Sequence, residues 1–160
     1  AKSTLVVAKT LKNGSTYTKT YTFLPDRFEL TIDLDGPAGS TYNRGFYRLP
    51  ADYLDNAGTK GPMDNSVSET GGISGRNPKP QWFALRGDGW AHSCVALSPF
   101  SSIIFWNDKA PNLGQLGFSS KSRTGNRMVY FVHGQQDDFS FAESDARRAK
   151  ETLTVTPLTD

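Results

Sequence analysis

The sequence predicts a mainly β fold: an antiparallel sheet or sandwich of about eight strands with one short C-terminal helix. Three observations carry this. Phe28-Glu29-Leu30-Thr31-Ile32-Asp33-Leu34 alternates apolar and polar residues without a break, the period of a strand with one buried and one wet face. Asn13-Gly14 sits between two strand-like runs, and Asn-Gly is the strongest short hairpin signal because both turn positions take positive φ. Aromatic residues make up 12% of a chain that is only 21% charged, a balance that suits pleated packing better than disorder.

The first strand pair is expected over residues 4–12 and 15–23. With Lys12 opposite Ser15, one face holds Val6, Ala8, Tyr17, Tyr21 and Phe23, and the other holds Leu5, Val7, Leu11 and the threonines Thr16, Thr18, Thr20 and Thr22. Such a hairpin is partly apolar on both sides and needs cover on both, from a second layer or from another subunit. Pro25-Asp26 turns the chain into the alternating strand 28–34, Asp35-Gly36-Pro37-Ala38-Gly39 closes it, and a further strand is expected over 42–49. From Asp55 to Pro80 the composition shifts to Gly, Pro, Asn, Ser and Asp, the profile of a long exposed loop. Loops of that length in compact domains are functional, clamped by a partner, or mobile. Strands resume over 81–85, break at Arg86-Gly87-Asp88-Gly89, and continue over 90–98 and 101–106. Residues 118–121 read as a short edge strand and 128–133 as a core strand. Ser144 to Glu151 is the one run of good helix formers, preceded by a capping box of Ser140 with Glu143, and the tail 153–158 returns to an extended pattern. A single β domain spanning 1–160, with its long loop at about 55–80, accommodates all of these elements.

The 18 Lys and Arg against 16 Asp and Glu leave a net charge of +2, which creates no strong field, so any basic surface is local. A lone cysteine, Cys94, excludes an intrachain disulfide framework and favours a reducing origin. Apolar runs such as Ile103-Ile104-Phe105-Trp106 are strand-sized, so no membrane-spanning helix is expected. The start Ala1-Lys2-Ser3 shows no targeting pattern, which leaves the compartment open.

Candidate chemistry is sparse. Cys94 with His133 is the minimum for a thiolate nucleophile, yet Cys94 lies mid-strand, where a buried structural thiol is the ordinary reading. His92 and Cys94 share a strand face at a spacing that can chelate zinc, but no second pair accompanies them, so no metal site or cofactor is expected. The carboxylate pairs Asp33 with Asp35, Asp52 with Asp55 and Asp137 with Asp138 sit at turns and strand ends, where Asp is frequent for backbone reasons. Arg86-Gly87-Asp88 matches an adhesion tripeptide and is also ordinary turn chemistry. Aromatic residues near loops, among them Tyr42, Tyr47, Tyr53, Trp82, Trp90 and Trp106, are able to stack on sugars, bases or a neighbouring subunit, or to pack a core. Arg44 and Arg48 share a strand face with Tyr42 and Phe46, the basic and aromatic mixture that contacts nucleic acid, or simply a solvated face.

The opening Ser3-Thr4-Leu5-Val6-Val7 with its hairpin into Thr20-Tyr21-Thr22-Phe23, and the closing Phe139-Ser140-Phe141 followed by Glu143-Ser144-Asp145-Ala146-Arg147-Arg148, resemble the first hairpin and the last-strand-to-helix junction of small RNA-phage coat proteins. The resemblance covers about a quarter of the chain. It implies a sheet dimer closing into a shell, RNA on the inner sheet face at Lys19, Arg44 and Arg48, and no catalytic residue. Coat proteins of this group end in two helices, for which this chain has only the residues after Ser140. The first expectation is therefore a non-enzymatic, self-assembling capsid subunit whose partners are copies of itself and RNA, located in the virion, with no membrane partner. The alternative is a carbohydrate-binding, lectin-like sandwich in which Trp82, Trp90 and Trp106 stack on sugar faces. A Cys94/His133 hydrolase is the second alternative.

Overall fold

A three-residue loop, Lys12-Asn13-Gly14, joins β1 (Ser3–Thr10) to β2 (Thr16–Phe23) in this computed structural model. The Leu11 N–H donates to the Ser15 carbonyl at 2.7 Å, the Ser15 N–H donates to Asn13 Oδ1 at 3.1 Å, and Gly14 takes φ of 80°. A left-handed glycine closing a three-residue loop is the next commonest hairpin after the two-residue type. The expected pairing of Lys12 with Ser15 is thereby corrected by one residue, since Thr10 faces Thr16. A slip of one residue exchanges faces. Leu5 and Val7 therefore lie beside Tyr17, Tyr21 and Phe23, while Val6 and Ala8 lie among the threonines.

The structure describes residues 2–36, 41–48, 50–57, 60–63, 81–98, 102–107, 113–120 and 122–151, with the side chains of 41–48, 60, 62–63, 102–107, 113–120 and 151 outside that description. Most of the expected loop 55–80 and the extended tail 153–158 fall outside the described residues. The chain continues through β3 (Arg27–Asp35), β4 (Thr41–Arg48), β5 (Ala51–Asp55), β6 (Lys60–Met63), β7 (Trp82–Gly87), β8 (Trp90–Ala96), β9 (Ser102–Asn107), β10 (Leu113–Ser120), β11 (Asn126–His133) and the helix α1 (Ser140–Glu151). The mainly β, antiparallel fold with one short C-terminal helix is as expected, with eleven strands among the described residues in place of about eight. They form an eight-stranded sheet, β1-β2-β3-β11-β8-β7-β5-β6, and a three-stranded sheet, β4-β10-β9. β6 interrupts the stretch expected to be loop. β10 is longer than the expected 118–121 and lies in the middle of the small sheet, not at an edge.

β3 shows why the alternation is legible: Leu30, Ile32 and Leu34 are buried while Glu29, Thr31 and Asp33 are half-exposed. On that face Leu30, Ile32, Tyr53, Phe83, Leu85, Cys94, Met128 and Tyr130 form one core cluster. The opposite face is covered over the central strands by α1. Ala146 and Ala149 pack with Val95, Val129 and Phe131, and Phe141 and Ala142 pack with Ala84 and Ala91. Alanines at helical spacing let the backbone approach the sheet closely. The helix begins at Ser140, before the expected Ser144, and its cap is Asp138, whose Oδ1 accepts the Ser140 N–H at 2.8 Å, in place of the Ser140/Glu143 box. At the far edge of the sheet every residue of β1 is exposed, Leu5 at 50% and Val6 at 59%, so the expected cover of the hairpin is not supplied by the described residues.

Candidate functional site

Ladder pairing of β5 with β7 sets Asp52 opposite Arg86, which places both side chains on the same sheet face. Arg86 Nη2 donates to Asp52 Oδ2 at 2.7 Å, and Arg86 Nη1 donates to the carbonyl of Asp137 in the β11–α1 connection. The guanidinium also lies over the Phe139 ring, 5.3 Å from its centroid. Three partners thus hold one cation in a fixed plane, the arrangement that suits Arg over Lys. Asp88 and Gly89 turn β7 into β8, with Gly89 at φ of 79° and its N–H donating to the Gln135 side-chain carbonyl. That bond ties the turn to the β11–α1 connection.

A cleft of about 400 Å³ opens between these segments, lined by Pro50, Ala51 and Asp52, by Arg86, Gly87 and Asp88, and by Gln135, Gln136 and Asp137. Gly87 is required there, because a Cβ on it would sit 2.3 Å from the indole Nε1 of Trp90. The lining combines a neutralised guanidinium, carboxylates and carboxamides above a small apolar floor, a set that accepts and donates hydrogen bonds. Next to it, the Asp138 carboxyl is held below the usual range, first by the Ser140 N–H and hydroxyl and then by the charge of Arg86.

The residues expected to act together are dispersed. Lys19 is half-buried on the core side of β2, its ammonium 5.7 Å from the Tyr17 ring centroid and its pKa lowered by burial. Arg44 and Arg48 belong to the other sheet, opposite Gly117 and Leu113, with side chains outside the described set. Lys19 thus lies in the eight-stranded sheet and Arg44 and Arg48 in the three-stranded one. Trp82 packs with the clusters beneath α1, whereas Trp90 packs against the other face beside Gly87, so the two share no stacking floor. Trp106 lies in β9 opposite Gln115, and its side chain is outside the description.

Cys94 and His133 also separate. Cys94 is buried in the core cluster, where burial pushes its thiol up against a smaller opposing hydrogen bond from Tyr130. His133 lies on the opposite face, where its Nε2 is 2.7 Å from Asp145 Oδ2. The hydrolase pairing is therefore corrected: a neutral, dry thiol on the wrong side of the sheet is no nucleophile for this imidazole. His92 and Cys94 do share a face as expected, but His92 is packed with Phe83 and Tyr130, and burial, then the charge of His133, push it down to about 3. Among the described residues no group of three or more His, Cys, Asp or Glu gathers in a way that could hold a metal. Asp55 serves a turn, bonding the Tyr53 hydroxyl and the Ala57 N–H, and Asp33 accepts the Gly125 N–H. Within Arg86-Gly87-Asp88, the arginine is engaged inside the chain, unlike an adhesion tip. Gln135 and Gln136 carry no motif and are invisible in the sequence as site residues.

No family model matches the chain, and no curated protein matches it. Among solved structures it is similar to the Slr1438 protein from Synechocystis sp. PCC 6803, at 9% identity and a TM-score of 0.43, covering 84% of this chain and 62% of that one. It is also similar to a "Putative aldose 1-epimerase" from Escherichia coli K12, at 10% identity and a TM-score of 0.42, covering 83% of this chain and 65% of that one. The chain spans less than two thirds of the length of either structure. Neither is a coat protein, and one is described as an enzyme. The capsid-subunit expectation, with its self-assembling and virion descriptors and its exclusion of an enzyme, is corrected to a mainly β fold alone, since the similar structures are not of that kind. At these TM-scores the likeness carries no argument about chemistry, so the cleft alone supports a functional assignment.

Proposed function

We propose that this chain binds a neutral polyhydroxylated small molecule, a sugar or sugar-like ligand, in the cleft between β5, the β7–β8 turn and the β11–α1 connection. The convergence of Asp52, Arg86, Asp88, Gln135 and Gln136 on one concavity of about 400 Å³ supports this reading. Carboxylates accept from hydroxyl groups, carboxamides both donate and accept, and Pro50, Ala51 and Gly87 offer a floor for the C–H face of a ring. An anionic ligand suits the site poorly, because Arg86 is already paired with Asp52 and further carboxylates line the rim. The locked guanidinium lowers the ordering cost of binding. The sugar class agrees with the lectin-like alternative, but the position differs, with polar groups replacing the Trp82, Trp90 and Trp106 platform.

The test is calorimetric titration with a panel of neutral monosaccharides. About a dozen heavy atoms at about −0.3 kcal/mol each give a Kd on the order of 1 mM. Asp52→Asn and Arg86→Ala are each expected to weaken binding by about tenfold or more. Unchanged binding in both variants, or tighter binding of an anion such as phosphate, overturns the assignment.

A further inference from the structure

We propose that β1 is a docking edge for an extended acidic segment of another protein, which joins the eight-stranded sheet as a further antiparallel strand. The site lies at the opposite end of the sheet from β5 and is independent of the cleft. Two observations carry the inference, one about backbone and one about charge.

Among the described residues the backbone of β1 pairs only with β2 and offers an open ladder on its other side. Leu11 opposite Ser15 is a hydrogen-bonded pair, with Leu11 N–H on the Ser15 carbonyl. In an antiparallel pair such positions alternate, so Lys9, Val7, Leu5 and Ser3 point their N–H and C=O groups at β2. Thr4, Val6, Ala8 and Thr10 then point theirs outward, away from the sheet. Of the usual edge protections β1 carries a single lysine, Lys9, with no proline and no bulge across Ser3–Thr10. Its side chains are apolar at the centre on both faces, with Leu5 50%, Val6 59% and Val7 47% exposed and Phe23 at 43% on the neighbouring strand. An added strand with alternating apolar residues would bury these on both sides.

Charge selects the occupant. Residues 2–23 contain Lys2, Lys9, Lys12 and Lys19 and no Asp or Glu, a charge of +4 in a chain whose total is +2, so the remainder carries −2. A second copy of this edge would set one +4 hairpin against another. A strand with acidic residues flanking an apolar centre meets lysines at both ends of β1 instead. A nucleic acid would satisfy the lysines but leave the outward ladder and the valines unused.

The probe is a fluorescein-labelled, end-blocked peptide of alternating valine and threonine with two glutamates at each end, followed by fluorescence anisotropy. The expected result is saturable binding that weakens about tenfold in Lys9→Glu with Lys12→Glu and weakens with added salt. Val6→Pro removes an outward N–H while leaving the β1–β2 ladder intact, and it is expected to abolish binding. The same peptide N-methylated at alternate residues is expected not to bind the unmodified protein, a control that requires no protein variant. Equal binding of a lysine-flanked or N-methylated peptide overturns the proposal. So does equal binding of a single-stranded oligonucleotide of the same charge, or a light-scattering mass showing that a second copy occupies the edge.

Discussion

The Ser93 hydroxyl on β8 donates to Oδ2 of Asp145 on α1 at 2.6 Å, and neither residue is more than 1% exposed. His133 Nε2 reaches the same oxygen at 2.7 Å, and Arg148 Nη1 lies 3.5 Å from the other. One buried carboxylate therefore clamps the helix to two central strands. Asp145→Ala is expected to cost about 3 kcal/mol, because it leaves buried donors without an acceptor, and Ser93→Ala about 1 kcal/mol. Urea denaturation measures both. Equal, small losses would show that the alanine face of α1 alone holds it in place.

Acid sensitivity follows from His92. Its folded pKa is pushed to about 3 from an ordinary 6.5, so between those values the unfolded chain binds a proton that the native chain does not. Stability from this group is fully present above pH 6.5 and falls as the pH drops toward 3, with a slope of up to about 1.4 kcal/mol per pH unit. Denaturation midpoints of His92→Phe across that window should fall less steeply with acid than those of the unmodified protein. Parallel curves would contradict the assignment.

Two glycines separate strain from crowding. Gly14 has φ of 80° with open space around it, so Gly14→Ala is expected to cost about 1 kcal/mol. Gly36 has φ of 112°, and a Cβ there would lie 2.6 Å from the Cα of buried Ser15. Gly36→Ala is expected to cost about 2–4 kcal/mol, as backbone strain and overpacking combine. Chemical denaturation of the two variants side by side would show equal losses if the packing of the turn against Ser15 were unimportant.

Local patterns made β3 and β11 readable, since Phe28 to Leu34 and Met128 to His133 carry their periodicity in adjacent residues. The hairpin was readable as a hairpin but not in register, because a two-residue and a three-residue loop around Asn13-Gly14 differ only in whether Lys12 joins the strand. β10 was mostly hidden because Gly114 and Gly117 interrupt its apolar pattern. The cleft was hidden for a different reason. Asp52 and Arg86 are 34 residues apart and meet only through the pairing of β5 with β7. Gln135 and Gln136 acquire a role only when Gly89 binds the connection that carries them.

Amide NMR spectra recorded while a neutral monosaccharide is titrated test the central claim most directly, since they report binding and its location together. Saturable shifts confined to Asp52, Arg86, Asp88, Gln135, Gln136 and their neighbours are the predicted result. Shifts that never saturate, or that cluster away from this cleft, would contradict it.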